Sequence, residues 1–213
     1  MIGVTRGACP QSLVKNKSKW DRELAAAKQS RDKVRIRNAE SKYAQLDVKM
    51  ALETSFNEKC AYCESEINSV SFSHIEHFRP KSKFDTSCFE WSNLLLACSR
   101  CNSKAHKGDH FPEVKDGGPL IDPSAEDPNQ HMTFVYDRGT KLALANPTTV
   151  RGTTTVSLFG LNVRKALLKR RSNFVRKLLA LKAVCGNDPE ALALLASAKA
   201  ANAEYSAWAL ALT

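Results

Sequence analysis

Two pairs of cysteines constrain this chain more than anything else in it. Cys60-Ala-Tyr-Cys63 and Cys98-Ser-Arg-Cys101 each hold two thiols across a two-residue gap, and 34 residues lie between the pairs. A tight turn at that spacing aims both sulfurs at one point, so two such knuckles can supply four thiolates to a single tetrahedral Zn2+. A four-thiolate site leaves no coordination position open for water or substrate. Its task is then to hold together the two ends of whatever is inserted. Cys9, Cys88 and Cys185 complete the seven cysteines and are expected to be small, partly or wholly buried apolar residues.

Such a zinc knuckle pair presumes reduced thiols, and the rest of the chain agrees. The first seven residues contain no apolar signal-peptide region, and no run approaches the roughly 18 apolar residues that span a bilayer. A cytoplasmic, non-membrane protein is expected. The formal net charge of +10 favours a polyanionic partner, because each phosphate met by Lys or Arg releases condensed counterions. Charge alone does not decide between nucleic-acid function and incidental basicity.

Three regions differ in composition. Residues 1–56 comprise an arm, taken as extended to residue 17, and a helical pattern from a capping box at Ser18 and Asp21 to about Phe56. In it Leu24, Ala27, Val34, Tyr43, Leu46, Met50 and Ala51 recur at helical spacing, predicting two helices or one bent one. Residues 57–112 concentrate Cys, His and aromatic residues. Residues 113–213 begin with turns, with strands expected at Met132–Tyr136 and Thr153–Val156. A helix over 161–184 places Leu167, Phe174, Leu178 and Leu181 on one face; Gly186 stops it, and Asp188-Pro189 opens a last helix. No acidic residue occurs from Leu161 to Lys182, so this helix presents a basic face including Arg171. That face is either solvated, phosphate-contacting or a docking surface.

The insert holds the chemistry. Ser73-His74-Ile75-Glu76-His77-Phe78-Arg79-Pro80-Lys81-Ser82 is followed by Trp91-Ser92-Asn93-Leu94 and then by Asn102-Ser103-Lys104-Ala105-His106. This resembles the HNH endonuclease family, whose pattern is a His paired with an acidic or His residue, then Pro, a middle Asn and a terminal His or Asn. Sixteen positions separate His77 from Asn93, and nine separate Asn93 from Asn102.

The resemblance implies an α+β protein: a zinc-braced ββα-metal core, a hairpin followed by a short helix, flanked by N- and C-terminal helices. It makes Glu76 the metal ligand, His77 the general base, Asn93 the residue orienting the hairpin loop and base, and Asn102 the second ligand. An oxygen-donating Glu/Asn pair suits Mg2+ or Mn2+. His106, four residues after Asn102, coincides with a third ligand in some relatives, and His74 could share the face of Glu76. In a regular strand Glu76 and His77 point to opposite faces, which suits separate roles. Arg79, Lys81, Arg100 and Lys104, with Lys83 and Lys107, surround the motif as candidate phosphate contacts or ordinary surface charges. The alternative is a zinc domain that keeps the motif's shape without catalysis.

A narrower likeness rests on Ile75–Ser82, Leu120-Ile121-Asp122-Pro123, Asp127-Pro128, Phe134, and Gly160-Leu161-Asn162 before the basic helix. These look like the PtuB-type HNH proteins of Septu and retron-associated antiphage systems. That implies a nuclease acting on nucleic acid, DNA or tRNA, in a hetero-oligomer with a PtuA-type ATPase. The chain has no G-x4-G-K-[ST] phosphate loop of its own, so any ATP dependence is borrowed.

Overall fold

Pro10 opens the first helix, α1 (Gln11–Gln29), eight residues before the expected capping box at Ser18, and it has no capping side chain of its own. The cap comes from elsewhere in the chain. Asp47 accepts hydrogen bonds from the Ser12 N–H (2.9 Å) and hydroxyl (2.6 Å), placing a carboxylate on the free N–H groups of the first turn. Asp47 lies in the first turn of another helix, which no local pattern at Ser18 reveals. The extended arm is therefore residues 1–10 only.

The long helical pattern resolves into three helices: α1, α2 (Lys33–Glu40) and α3 (Leu46–Ser55). Arg31 takes a left-handed φ of 55° between the first two. Asp32 then caps α2, its carboxylate accepting from the N–H groups of Val34 and Arg35. These breaks use Arg, Asp and Ser in place of Gly or Pro, so apolar periodicity alone runs through them. Val34, Leu46 and Met50, expected on the inner face, are exposed, whereas Trp20, Val48 and Leu52 are buried.

The structure, a computed structural model, describes residues 1–67 and 72–213. β1 (Ser73–His77) pairs antiparallel with β2 (Leu94–Cys98), from Ser73 opposite Cys98 to His77 opposite Leu94. Every residue of β2 is buried, as an unbroken apolar run covered on both faces should be. Where a short helix is expected after β2, residues 99–109 run as successive turns.

A second hairpin joins β3 (Met132–Asp137) to β4 (Leu142–Pro147). Thr153–Val156, expected as a strand, lies in helix α4 (Val150–Leu158). Thr149 caps that helix by accepting from the Gly152 N–H, and Thr155 turns inward to accept from the Ile121 N–H at 3.1 Å. The β-branched residues are here overruled by a cap and a tertiary bond.

α5 spans Lys165–Val184, and Gly186 (φ 48°) follows it. Asp188 caps α6 (Pro189–Ala198), but the tail adds another helix, α7 (Ser206–Leu212), packed on β3. Trp208 of α7 lies 4.5 Å from the Phe134 ring. Arg171 departs from the basic face, expected to be solvated, phosphate-contacting or a docking surface. It is fully buried, donates to the carbonyls of Ala143 and Leu161, and sits 4.3 Å above the Trp208 ring.

One apolar cluster runs from Met1 and Leu13 through both hairpins to Trp208. The arm contributes polar ties as well. The Val4 N–H donates to Pro123, and the Arg6 guanidinium donates to the carbonyls of Trp91, Ser92 and Leu94 at the start of β2. Among the described residues no helix is long and apolar enough to cross a membrane.

Candidate functional site

The knuckles form first. After α3 the chain turns at Cys60, and the Glu64 N–H returns to the Cys60 carbonyl at 2.9 Å, with Glu64 itself at φ 63°. The Ala61 N–H donates to Leu96 of β2, so this turn is hung on the strand that ends in Cys98. The second turn follows directly, with the Cys101 N–H donating to the Cys98 sulfur at 3.4 Å. As a result the ligand atoms of Cys60, Cys63, Cys98 and Cys101 all lie within 4.8 Å of one another.

Crowding polarises these thiols. Hydrogen bonds from Cys101, Cys60 and Cys98 pull the Cys63 thiol well below its ordinary value, while burial pushes Cys60 up. Four mutually close, buried sulfurs without disulfides form a donor set that could bind a zinc ion. Cys88 is buried elsewhere, and Cys9 and Cys185 are half-buried.

A pocket of about 260 Å³ opens beside β1, and its walls include Tyr43, Glu76, His77, Lys81, Asn102 and Lys104. Glu76 and His77, though consecutive, both line it. His77 is the last residue of β1, where the chain leaves the strand and strict alternation ends. The opposite-face expectation therefore does not carry over to the pocket wall.

Glu76 is 4% exposed, and its Oε1 makes no hydrogen bond. Lys107, fully buried, brings its Nζ to 3.3 Å from that oxygen and donates to the His77 carbonyl at 3.2 Å. Burial pushes the Glu76 carboxyl up to about 7 against the pull of Lys107. Oε1 is ion-paired with Lys107, and a carboxylate oxygen with one such neighbour keeps lone-pair capacity for a hard cation.

His77 is 6% exposed. Its Nε2 lies 2.9 Å from the Cys88 carbonyl, which can only accept, so Nε2 carries the hydrogen and Nδ1 keeps the lone pair in the neutral ring. Tyr43 meets the ring edge-on at 4.5 Å. Burial drives the imidazole down to about 4, opposed by the Cys88 bond and helped by Lys81 and Lys107.

The remaining candidates divide. Asn93, 6% exposed, accepts from the Arg79 N–H (2.7 Å) and donates to the carbonyls of Arg79 (3.1 Å) and Ser87 (2.9 Å). It ties the loop after β1 to the start of β2 and stays outside the pocket. Arg79 lines a different cavity with Asn93, Leu120 and Arg151. Arg100 is exposed between the second pair of cysteines, also away from the pocket. His74 is exposed on β1.

His106 points elsewhere. Its Nδ1 is 2.8 Å from the Leu158 carbonyl, and it is not among the pocket's lining residues. A residue four places after Asn102 would share its face only on a helix, and turns occupy 102–106.

Sequence reasoning gave no place in the pocket to Asp109, which lines it, and misjudged two further neighbours. Tyr43 looked like one more inward helical position, and Lys107 like one more surface charge. Lys81 is braced as well, paired with Glu40 at 3.3 Å and lying 5.2 Å from the Tyr43 ring centre.

Known proteins resemble this chain in sequence. Residues 60–108, from the first knuckle to just beyond Lys107, match the HNH endonuclease family. The chain is 34% identical over 162 residues to the Septu protein PtuB of Bacillus mycoides (strain KBAB4), covering 63% of this chain and 55% of that one. It is 30% identical over 164 residues to the Septu protein PtuB of Bacillus thuringiensis, covering 76% and 55%. It is also 30% identical over 151 residues to the "Retron Vc95 putative HNH endonuclease" of Vibrio cholerae serotype O1 biovar El Tor, covering 67% and 71%. The chain thus spans little more than half the length of the two Septu relatives. With the family match resting on both knuckles and everything between them, and the retron relative covered over most of its length, the chain belongs to the HNH endonuclease family.

Proposed function

We propose that the chain is a metal-dependent nuclease that hydrolyses phosphodiester bonds at the pocket formed by Glu76, His77 and Asn102. One observation carries this reading. A buried carboxylate, ion-paired with Lys107, and a neutral imidazole line the same small pocket, with Lys81 and Lys104 on its walls.

Glu76 and Asn102 would hold Mg2+ or Mn2+, both offering oxygen to a hard ion. When bound, that ion neutralises negative charge building up on the phosphate in the transition state. His77 takes a proton from water at Nδ1, while its Nε2–H stays on the Cys88 carbonyl, which fixes the ring and steadies the imidazolium. A bound phosphodiester places negative charge beside the ring and raises its basicity from the depressed resting value. Lys107 holds Glu76 from behind. Lys81 and Lys104 contact the phosphates, and Arg79 and Arg100 reach only flanking ones. Cys60, Cys63, Cys98 and Cys101 hold a structural Zn2+ that keeps both ends of the hairpin together. Asn93 acts as a positioning residue, and His106 is left out of the ligand set.

The Septu and retron relatives support a place in antiphage defence, as the nuclease partner of a PtuA-type ATPase in a hetero-oligomer. DNA is the first substrate to test, with tRNA as the alternative. A second reading has its own observation. The Lys107–Glu76 ion pair is what a purely structural carboxylate would show, and it favours a non-catalytic, zinc-stabilised nucleic-acid-binding module.

One experiment separates these readings. The protein, with and without the ATPase, is incubated with DNA, total RNA and tRNA in Mg2+ or in EDTA. Cutting in Mg2+ alone, lost by at least about 100-fold in His77→Ala with zinc content unchanged, is expected from removing a general base. Nucleic-acid binding without cutting under every condition would establish the binding module instead.

A further inference from the structure

Four thiolates around a divalent ion leave a net charge of about −2 in a buried place, and uncompensated buried charge is costly. The question is what answers it. Among the described residues, one cationic side chain makes direct contact with Cys60, Cys63, Cys98 or Cys101: Arg164 Nη1 lies 3.1 Å from the Cys101 sulfur. The same nitrogen lies 3.1 Å from the Phe159 carbonyl, which pins the guanidinium in place.

This contact is prepared by the chain around it. Arg164 is the residue before α5, the usual position of a capping side chain, yet it makes no cap bond and folds back towards the knuckles. Gly160, at φ 56°, makes room for it. A Cβ there would come within 3.2 Å of the Arg164 Cγ and 3.3 Å of its Cδ. Two further contacts fasten the same segment to the knuckle region. Phe159 stacks on Tyr62, between Cys60 and Cys63, at 3.9 Å with planes 19° apart, and Leu158 receives the His106 ring nitrogen at 2.8 Å.

We infer that Arg164 is the counter-cation of the four-cysteine centre, donating to the Cys101 thiolate and slowing its loss of metal. This rests on reading the cysteines as a zinc site. A guanidinium stays charged at every pH a protein meets, and an N–H bond to a thiolate withdraws electron density from sulfur. The sulfur is then less readily protonated or attacked by electrophiles, the two events that free it from zinc. Partners of metal ligands typically matter by about 10–100-fold in metal affinity. A segment 63 residues beyond Cys101 thereby becomes part of the centre.

The test uses the full chain loaded with zinc. Wild type, Arg164→Gln and Arg164→Lys are mixed with a chromophoric zinc chelator, and the rate of zinc transfer is read directly. Separately, N-ethylmaleimide labelling is followed cysteine by cysteine by mass spectrometry. Arg164→Gln should transfer zinc about tenfold faster or more, with Cys101 the first of the four to be labelled, and Arg164→Lys should recover part of the loss. Circular dichroism identifies the folded variants, and if Arg164→Gln fails to fold, the Lys variant alone still has to show faster transfer. A folded, zinc-loaded Arg164→Gln with wild-type transfer and labelling order would overturn the role of Arg164. Wild-type protein that takes up no zinc would instead remove the centre and the proposal together.

Discussion

At the scale of single residues, the side chains that set the pocket divide into those named by a motif and those named only by packing. Glu76, His77 and Asn102 carry the family spacing, so their meeting in one pocket is legible from letters alone. Lys107 is not, because nothing in Lys104-Ala-His-Lys107-Gly108 distinguishes a fully buried ammonium from its exposed neighbours. Asn93 offers a sharp test. Its amide satisfies one N–H and two carbonyls in the loop that joins β1 to β2, and Asn93→Ala leaves all three without that partner. Orphaned buried groups cost about 1–3 kcal/mol each, partly relieved by water, so a loss of about 2–3 kcal/mol is expected in urea unfolding. Nuclease activity should fall with the loop's order, while zinc content stays put. A variant as stable as wild type would mean that the loop holds itself.

At the scale of elements, the first hairpin follows from the family pattern and β3 from its own residues, whereas β4 and the helix boundaries are the harder part. β2 announces itself as a continuous apolar run, and β3 by alternation; β4, with Ala at both of its buried positions, has no such signature. Thr153–Val156 shows why local preference fails. Three threonines and a valine favour a strand, but Thr149 caps a helix and Thr155 completes a bond to Ile121. The turn elements depend instead on the cysteines. Cys60→Ser should remove zinc and unfold the hairpin region, because the knuckles are short turns with little apolar area of their own. Zinc analysis and circular dichroism on the same sample check this, and a folded Cys60→Ser protein with wild-type activity would refute the brace.

At the scale of the whole molecule, the three compositional regions of the sequence share one apolar cluster, a fact that no window of residues displays. Arg171 makes the point. A basic, acid-free helix suggests solvent on all its charges, yet this guanidinium bridges β4, the Leu161 turn and the Trp208 ring. Burial lowers it to about 10, which still leaves it charged at neutral pH. Arg171→Met strands the carbonyls of Ala143 and Leu161 and should cost about 1–3 kcal/mol. With one shared core, tryptophan fluorescence and zinc release should shift together in denaturant; separate midpoints would divide the molecule. The Arg6 contacts with the start of β2 have a further meaning on the ribosome. Arg6 leaves the exit tunnel 88 residues ahead of Leu94, its carbonyl partner. At roughly 5–20 residues per second, the arm waits about 4–18 s before its dock exists. The arm is thus made well before the strand it docks on, and it has no carbonyls to meet until that strand arrives.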